Sequence, residues 1–406
     1  MIAADTLPIQ EALPSLKAAL ARSNVAVLAA PPGAGKTTVV PLALLDQPWL
    51  SGRILVLEPR RLAARAAARR MAQTLGEAVG QTVGVRSRGE TRVGPKTRIE
   101  VVTEGVFTRL ILDDPGLEGV GAVLFDEFHE RSLDADLGLA LAREAQGLLR
   151  DDLKLVVMSA TLDTAAVSRL LGEAPVVASE GRMFPIETRH LEPDVGERIE
   201  DAVARAVRQA LREQTGSILV FLPGQGEIRR VAERLAPRES ERLVVAPLYG
   251  GLDRGEQDRA VEPAPPGVRK VVLASAIAET SLTIQGVRVV IDSGLSRVPR
   301  FDPPSGLTRL ATVRVSRASA DQRRGRAGRT EPGVCYRLWP EAETRGLMPS
   351  LPPEIAEADL TGFSLDLARW GRKDAEGLAL LDPPPGGAFA EARCWGDWGR
   401  WTGRAR

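Results

Sequence analysis

Short runs of consecutive apolar residues, many of them β-branched, alternate along the chain with longer stretches rich in alanine, leucine and arginine. A continuous apolar run suits a strand buried on both faces of a parallel sheet, and the stretches between the runs suit helices. The pattern therefore predicts an α/β fold with parallel sheets. The predicted strands are VAVLAA (25–30), RILVLEP (53–59), RIEVVT (98–103), AVLFDE (122–127) and KLVVMSA (154–160), followed by SILVFLP (217–223), LVVAPLY (243–249), KVVLAS (270–275) and VRVVIDSG (287–294).

The predicted strands fall into two sets separated by a less regular stretch, residues 179–191, which we interpret as a linker. Two successive α/β domains are therefore predicted, over residues 1–178 and 179–340. After residue 340 the strand pattern stops, and residues 341–385 are predicted to form a small helical third domain. Residues 386–406 form an irregular tail without apolar periodicity.

Composition narrows the class of protein without identifying a function. The 406 residues are 44% hydrophobic and 26% charged, as in an ordinary soluble protein, and the formal net charge is only +1. Contact with a polyanion would therefore depend on local patches and not on a global field. With two cysteines and two isolated histidines, neither a zinc site nor a disulfide framework is predicted. A signal peptide and an 18-residue apolar run are also not found, and a cytoplasmic protein without membrane contact is expected.

A phosphate-binding loop is predicted at APPGAGKTT (30–38), directly after the first predicted strand. Its glycines allow backbone N–H groups to surround a phosphate, and the start of the following helix adds positive potential. Lys36 would reach the β- and γ-phosphates, and Thr37 would ligate Mg²⁺. Ala30 stands where the strict pattern has glycine, so an ordinary glycine turn is the alternative interpretation. The predicted nucleotide-binding residues are Gly33, Ala34, Gly35, Lys36, Thr37 and Thr38.

Two adjacent acids follow the apolar run at 122–125, in the tetrad Asp126-Glu127-Phe128-His129. One acid can hold Mg²⁺ while the next orients and deprotonates water, so Asp126 and Glu127 are predicted as metal ligands and Glu127 as the base. The alternative is a solvated acidic turn at a strand exit. Ser159 and Thr161 end the next predicted strand, where small hydroxyl side chains could sense movement of the loop that carries His129.

A second cluster of polar and cationic residues is QRRGRAGR (322–329). Arg326 and Arg329 lie three residues apart, so on a helix both could point into one anionic cleft. They are predicted to be arginine fingers that reach the γ-phosphate from the second domain. A solvated basic loop is one alternative, and nucleic-acid contact by Arg323 and Arg324 is another.

Eight segments occur in an order that resembles the superfamily 2 DEAH/RHA helicases, and most closely a bacterial subgroup of them. The resemblance covers about residues 8 to 390. It implies two tandem RecA-like P-loop domains followed by a winged-helix-like segment (341–385), with ATP and Mg²⁺ as cofactors and single-stranded RNA as partner. The segments are APPGAGKTT, EPRR, TEG, DEFH, SATL, FLPG, ASAIAETSLTI and QRRGRAGR.

The same resemblance implies further site residues. Arg70 would stack on the nucleotide base, Gln322 would bond near the attacking water, and His129 would belong to the catalytic group. Glu279-Thr280-Ser281 would couple the nucleotide to the nucleic acid. The stretch that begins at Arg60 could equally be an exposed helix face. The residues predicted to contact nucleic acid are Arg60, Arg61, Thr103, Glu104, Gly105, Ser275 and Thr280.

Three features depart from the family pattern or extend it. Ser275-Ala276 stands where these helicases usually have Thr-Asn, and Phe128 replaces the usual alanine, which we interpret as a subgroup feature. Residues 297–316 predict a hairpin, which in this family separates bases at a duplex junction but could also be a simple sheet extension.

The sequence allows two interpretations of the C-terminal tail and two of the function. Relatives in this family continue well beyond this length, and a frameshift over 393–406 is expected. The alternative is a genuine short tail whose Trp and Arg side chains stack on bases. We expect an ATP-dependent, monomeric helicase that translocates 3′-to-5′ on RNA and unwinds it. The alternative is an RNA-binding, RNA-stimulated NTPase module that does not unwind.

Overall fold

The computed structural model describes residues 7–160, 164–181, 184–236, 242–279, 284–302, 304–329, 331–387 and 389–390. These residues form two compact units. The first contains the described residues of Met1–Gly181, Phe301–Thr308 and Pro352–Arg406, and the second those of Arg182–Arg300 and Arg309–Leu351. The segment predicted as a third domain (341–385) is thus divided between the units, and its winged-helix character stays a prediction.

The first unit is built on an eight-stranded sheet. Its strands are β1 (Val25–Ala29), β2 (Arg53–Glu58), β3 (Val83–Ser87), β4 (Glu90–Arg92), β5 (Ile99–Thr103), β6 (Val120–Phe125), β7 (Lys154–Ser159) and β8 (Val176–Ala178). They lie in the order β4-β3-β5-β2-β6-β7-β1-β8, and all pairs are parallel except β3 with β4. The five strands predicted here are present, and the α/β class is confirmed.

Helices cover both faces of this sheet, because the strand residues are apolar on both sides and each face must be buried. On one of these helices, residues 61–74, Ala64, Ala68 and Met71 recur at helical spacing and are buried, while Arg69 and Arg70 are exposed. The helices are α1 (Leu13–Arg22), α2 (Lys36–Leu44), α3 (Arg61–Thr74), α4 (Glu104–Asp113), α5 (Leu133–Leu148) and α6 (Thr164–Leu170).

The second unit is built on a six-stranded parallel sheet. Its strands are β9 (Ile186–His190), β10 (Ser217–Phe221), β11 (Leu243–Leu248), β12 (Arg269–Ala274), β13 (Val287–Asp292) and, after two strands described next, β16 (Gly333–Arg337). Their order is β11-β12-β10-β13-β16-β9. Its helices are α7 (Ile199–Glu213), α8 (Gln225–Arg234), α9 (Arg254–Val261) and α10 (Arg317–Arg324).

The predicted hairpin is present as a separate two-stranded sheet of β14 (Leu295–Asp302) and β15 (Leu307–Arg314). In contrast, the interpretation of residues 179–191 as a linker is wrong in part, because these residues contain strand β9 at the edge of the second sheet. This strand has the polar sequence IETRH and is only half-buried, so it lacks the apolar run that marks the other strands.

Residues 352–390, here called the C-terminal segment, complete the core of the first unit. The segment contains α11 (Glu354–Glu357) and α12 (Thr361–Trp370). Its buried side chains belong to the same hydrophobic cluster as Phe107 of α4 and Leu139 of α5. These side chains are Ile355, Leu360, Phe363, Leu367 and Phe389. Across the described residues, no helix is long and apolar enough to cross a membrane.

Candidate nucleotide-binding site

The phosphate loop lies between the end of β1 and the start of α2. Gly33 and Gly35 have φ angles of 84° and 95°, in the left-handed region that favours glycine. A Cβ atom on Gly35 would also lie 2.9 Å from the Cδ1 atom of Leu7. The carbonyl oxygen of Ala34 accepts a hydrogen bond of 3.2 Å from the backbone N–H of Ile9. The glycines are therefore required by the backbone, as expected for a loop that surrounds a phosphate.

The first two residues of α2 meet the two acids that follow β6. Lys36 Nζ lies 2.9 Å from Glu127 Oε1 and 3.6 Å from Asp126 Oδ1. The hydroxyl of Thr37 donates to the Asp126 carboxylate. Because β1 and β6 are parallel to each other within one sheet, their carboxyl ends share an edge, where ligands bind in α/β proteins. The structure thus brings together the residues predicted from both motifs.

Burial determines the electrostatics of this cluster. It raises the pKa of Asp126, an effect that Lys36 opposes and Glu127 reinforces. Burial alone would lower the pKa of Lys36, but the two carboxylates outweigh it and leave the pKa raised. Lys36 therefore carries its positive charge in the folded protein and compensates the buried acids.

The donor set fits a magnesium nucleotide. Thr37, Asp126 and Glu127 offer the hard oxygen atoms that Mg²⁺ prefers, and Mg²⁺ is commonly bound by one or two carboxylates with phosphates and water completing the shell. Nowhere among the described residues do three or more His, Cys, Asp or Glu side chains group to hold a metal ion by themselves.

His129 and Phe128 contact neighbouring parts of the first unit from the loop that carries Asp126 and Glu127. The backbone N–H of Ala160 donates to His129 Nδ1 at 3.4 Å, which links this loop to the end of β7. Burial lowers the pKa of His129, so the imidazole is neutral and can accept this bond. Phe128 is buried and packs edge-on against Phe125, with ring centroids 6.4 Å apart.

The residues predicted to contact nucleic acid differ in accessibility. Arg61 is exposed at the start of α3. Arg60 is half-buried, and its Nη2 lies 3.0 Å from Oε2 of Glu130, the residue after the DEFH tetrad. Thr103 is the N-cap position of α4, and Gly105 lies in its first turn. Nucleic-acid contact by these residues stays a prediction.

The side chain of Glu104 is buried within the first unit, unlike a side chain that contacts RNA. It is only 6% exposed, and its Oε2 accepts a hydrogen bond of 2.6 Å from the hydroxyl of Ser132. Burial raises the pKa of Glu104 to about 8, and the nearby acids Glu130 and Asp134 add to the shift. The side chain therefore acts inside the first unit, because Ser132 caps the N-terminus of α5 and accepts from the N–H of Ala135.

In the second unit, Arg326 and Arg329 do not lie on a helix, so the helical spacing from which their common direction was predicted does not apply. Helix α10 ends at Arg324, and the two arginines lie in the following turn. Gly328 in this stretch has no room for a side chain, since a Cβ atom on it would lie 2.7 Å from the backbone oxygen of Phe184. Gln322 is half-buried on α10.

The interpretation of Arg323 and Arg324 as nucleic-acid contacts is also wrong for Arg323, which is fully buried. Its guanidinium donates to Glu279 Oε1 and Asp292 Oδ1, each at 2.7 Å. Burial alone would lower the pKa of Arg323, but these two carboxylates outweigh it and keep the pKa raised. Arg324 donates to the carbonyl oxygen of Ile186 at 2.9 Å and so fixes the edge strand β9.

Glu279 is a residue whose structural role the motif pattern did not indicate. Its carboxylate holds Arg323 and accepts from the hydroxyl of Ser319, while its backbone oxygen accepts from Arg326 Nε at 2.8 Å. It therefore links the two motifs of the second unit. Ser275 begins the turn that leads to Glu279, and its N–H donates to Leu248 O. Thr161, Thr280, Ser281 and the tail 391–406 lie outside the described residues.

Arg70, predicted to stack on the nucleotide base, is exposed on α3, and Thr38 is half-buried on α2. Their roles remain predictions.

The motifs did not reveal the contribution of Arg131, which lies five residues after Asp126. Its side chain pairs with Asp136 and Asp382, the latter in the C-terminal segment. Sequence offers no signal for that distant partner.

Two successive α/β units, the first with a phosphate loop facing two adjacent acids, define a protein of the tandem RecA-like P-loop class. The model of the DEAD/DEAH box helicase family matches residues 8–170, and that of the helicase conserved C-terminal domain matches residues 201–331. Both models match in the order of the motifs, and the resemblance to a bacterial subgroup of the DEAH/RHA helicases is confirmed.

Individual relatives support this assignment. The chain is 53% identical over 381 residues to the ATP-dependent RNA helicase HrpB of Escherichia coli (strain K12), covering 94% of this chain and 47% of that protein. It is 37% identical to the pre-mRNA-splicing factor ATP-dependent RNA helicase prp22 of Schizosaccharomyces pombe, covering 94% of this chain and 33% of that protein. The chain therefore spans about half the length of these relatives or less.

Solved structures show the same similarity. The crystal structure of the E. coli DEAH/RHA helicase HrpB matches with a TM-score of 0.91 at 52% identity, covering 96% of this chain and 50% of that one. A crystal structure of the E. coli DExH-box NTPase HrpB matches with a TM-score of 0.85, also at 52% identity, covering 97% and 49%.

Proposed function

We propose that this chain binds and hydrolyses ATP at the edge of the first sheet and couples hydrolysis to movement along single-stranded RNA. The observation that carries the proposal is the contact of Lys36 and Thr37 with Asp126 and Glu127. These four side chains supply the phosphate-binding cation, the metal-binding oxygens and the base that nucleotide hydrolysis needs.

The chain's own residues have distinct roles in this proposal. Lys36 exchanges its contact with Glu127 for the β- and γ-phosphates, which leaves the carboxylate of Glu127 to orient a water molecule and accept its proton. Thr37 and Asp126 hold Mg²⁺, which neutralises phosphate charge when bound. Gln322, Arg326 and Arg329 of the second unit assist at the water and the γ-phosphate, as the family pattern implies.

Replacement of Glu127 by Gln tests the assignment. The amide keeps the size of the side chain but cannot accept a proton, so ATP turnover should fall by about 10²–10⁴-fold. Binding of a fluorescent ATP analogue should be retained, because Lys36 and the phosphate loop are unchanged. The exposed Glu118→Gln substitution is a matched control and should keep wild-type turnover. Normal hydrolysis by Glu127→Gln would refute the catalytic role of this residue.

The substrate and direction are proposed from the family and from relatives whose names include RNA helicase. We propose RNA as the polyanion, held mainly through its backbone, and 3′-to-5′ translocation by a monomer in the cytoplasm. Strand displacement on RNA duplexes with a 3′ or a 5′ tail, repeated with tailed DNA, measures both points. Displacement only from 5′-tailed duplexes would contradict the proposed direction, and equal activity on DNA would contradict the RNA preference.

A second candidate function is an RNA-stimulated NTPase module that does not unwind. The observation in its favour is the same hydrolysis site, because the contacts of Lys36 and Thr37 with the two acids lie within the first unit alone. RNA-stimulated ATP hydrolysis without strand displacement on any tailed duplex would support this candidate over the first.

A further inference from the structure

The loop that joins β6 to α5 carries the acidic tetrad and has an unusual backbone. Glu127 and Arg131 have φ angles of 50° and 51°, in the left-handed region, and a single turn of 3₁₀-helix (Phe128–Glu130) lies between them. For residues other than glycine this conformation is unfavourable and persists only where surrounding contacts impose it. The contacts at the Arg131 end therefore bear on the geometry of the catalytic acids.

The side chain of Arg131 bridges two parts of the chain. Its Nε and Nη2 donate to the two carboxylate oxygens of Asp136 in α5, each at 3.1 Å. The same Nη2 donates to Asp382 Oδ2 of the C-terminal segment at 2.8 Å. Bidentate pairing of this kind fixes the orientation of the guanidinium as well as its position.

Glu354 adds two contacts from the same segment. Its backbone N–H donates to the carbonyl oxygen of Arg131 at 3.1 Å, and its Oε2 accepts from the N–H of Leu133 at 2.8 Å. Two side chains and one backbone N–H of the C-terminal segment thus contact Arg131 and Leu133, at the end of the loop and the start of α5.

The segment is anchored to the first unit independently of these contacts. Phe363 and Leu367 of α12 are buried in the core cluster that also contains Phe128 of the tetrad. Glu144 of α5 accepts from Trp370 Nε1 at 2.7 Å and from Arg372 Nε at 3.0 Å. The segment is therefore a fixed support against which the loop is held.

Resting on the proposed function of Asp126 and Glu127, we propose that Asp382 and Glu354 are positioning residues for ATP hydrolysis. They act through Arg131 and Leu133, and they touch neither nucleotide nor RNA. Loss of their contacts lets the Arg131 end of the loop relax, which moves Glu127 away from the geometry required for water activation. The phosphate loop is untouched, so the chemical step suffers while ATP binding does not.

The test uses Asp382→Asn in the full chain, with Asp382→Glu as the conservative variant. Asp382 is half-exposed (49%), so neither change threatens folding. Loss of one charge-assisted hydrogen bond should lower kcat about fivefold, with KM for ATP changed by less than about twofold. Asp382→Glu keeps the charge and should recover most of kcat. Asp113→Asn is a matched control, since it removes the pair between Asp113 and Arg369 that anchors the same segment away from the loop.

Unchanged kcat in Asp382→Asn would overturn the proposal, and so would an equal loss of kcat in Asp113→Asn or a failure of Asp382→Glu to recover activity. Glu127→Gln, measured in parallel, separates this outcome from a failure of the proposed function. If Glu127→Gln is inactive while Asp382→Asn is normal, only the positioning role fails. If Glu127→Gln hydrolyses ATP normally, the proposed function and the positioning role fail together.

Discussion

Glu104 offers a direct test of how burial changes a carboxylic acid in this fold. Burial raises its pKa to about 8, although the hydrogen bond from Ser132 opposes the shift. In the unfolded chain the pKa returns to near the ordinary glutamate value of 4.5. Between these two values the folded protein retains a proton that the unfolded chain has lost, so a raised pKa contributes stability at low pH that disappears as the pH rises.

The magnitude follows from proton linkage. The contribution is complete below about pH 4.5 and declines by up to about 1.4 kcal/mol per pH unit until about pH 8. In Glu104→Gln the side chain stays neutral at every pH and can still accept from Ser132 through its amide oxygen. We therefore expect the difference in the free energy of unfolding, Glu104→Gln minus wild type, to increase by roughly 3 kcal/mol between about pH 5.5 and about pH 7.5.

Urea unfolding followed by circular dichroism at the two pH values measures this difference. Other titrating groups are shared by both proteins and cancel in the comparison. Glu118→Gln, which changes an exposed glutamate, should show no such pH dependence. A stability difference between Glu104→Gln and wild type that is the same at both pH values would refute the assignment of a protonated, buried Glu104.

Three further substitutions test packing and buried charge. Phe128→Ala should cost about 3–5 kcal/mol, because it empties a fully buried site in the aromatic cluster, and the thermal unfolding midpoint should fall; an unchanged midpoint would contradict the packing role. Arg323→Met should cost about 3–5 kcal/mol in urea unfolding, since it leaves two buried carboxylates without their cation, whereas the exposed Arg309→Met should be near neutral. Gly328→Ala should cost about 1–3 kcal/mol, because its Cβ would lie 2.7 Å from the backbone oxygen of Phe184, and wild-type stability would show that this close approach is absent.

The sequence predicted the parts of the site that depend on strand order. Apolar runs located the central strands, and in a parallel sheet the motifs that follow those strands must meet at one edge. Lys36 and Glu127 could therefore be placed together from sequence, although 91 residues separate them. The hairpin was predicted for a similar reason, because its two strands are neighbours in sequence.

The sequence could not predict polar elements and contacts whose partners are distant in sequence and follow no repeating pattern. Arg323 lies in a basic stretch of the sequence. It is nevertheless buried and paired with two acids, one from β13 and one from the segment after β12. Strand β9 has the polar sequence IETRH and is only half-buried, so no apolar run indicates it. The pairing of Arg131 with Asp382 spans 251 residues and follows no periodicity. In each case the partner is determined by the tertiary structure and not by local pattern.

The position of the acidic tetrad is determined from both of its ends. Before the tetrad, the N–H of Asp126 donates to the carbonyl oxygen of Leu57 at 3.1 Å and continues the pairing of β6 with β2. After it, Ser132 caps α5, so the helix start is fixed as well. Only residues 127–131 lie between these fixed points, and their two ends carry the left-handed conformations of Glu127 and Arg131. A change in the contact of Lys36 with Glu127 must therefore be absorbed within this one turn, which also carries the histidine that contacts Ala160 at the end of β7.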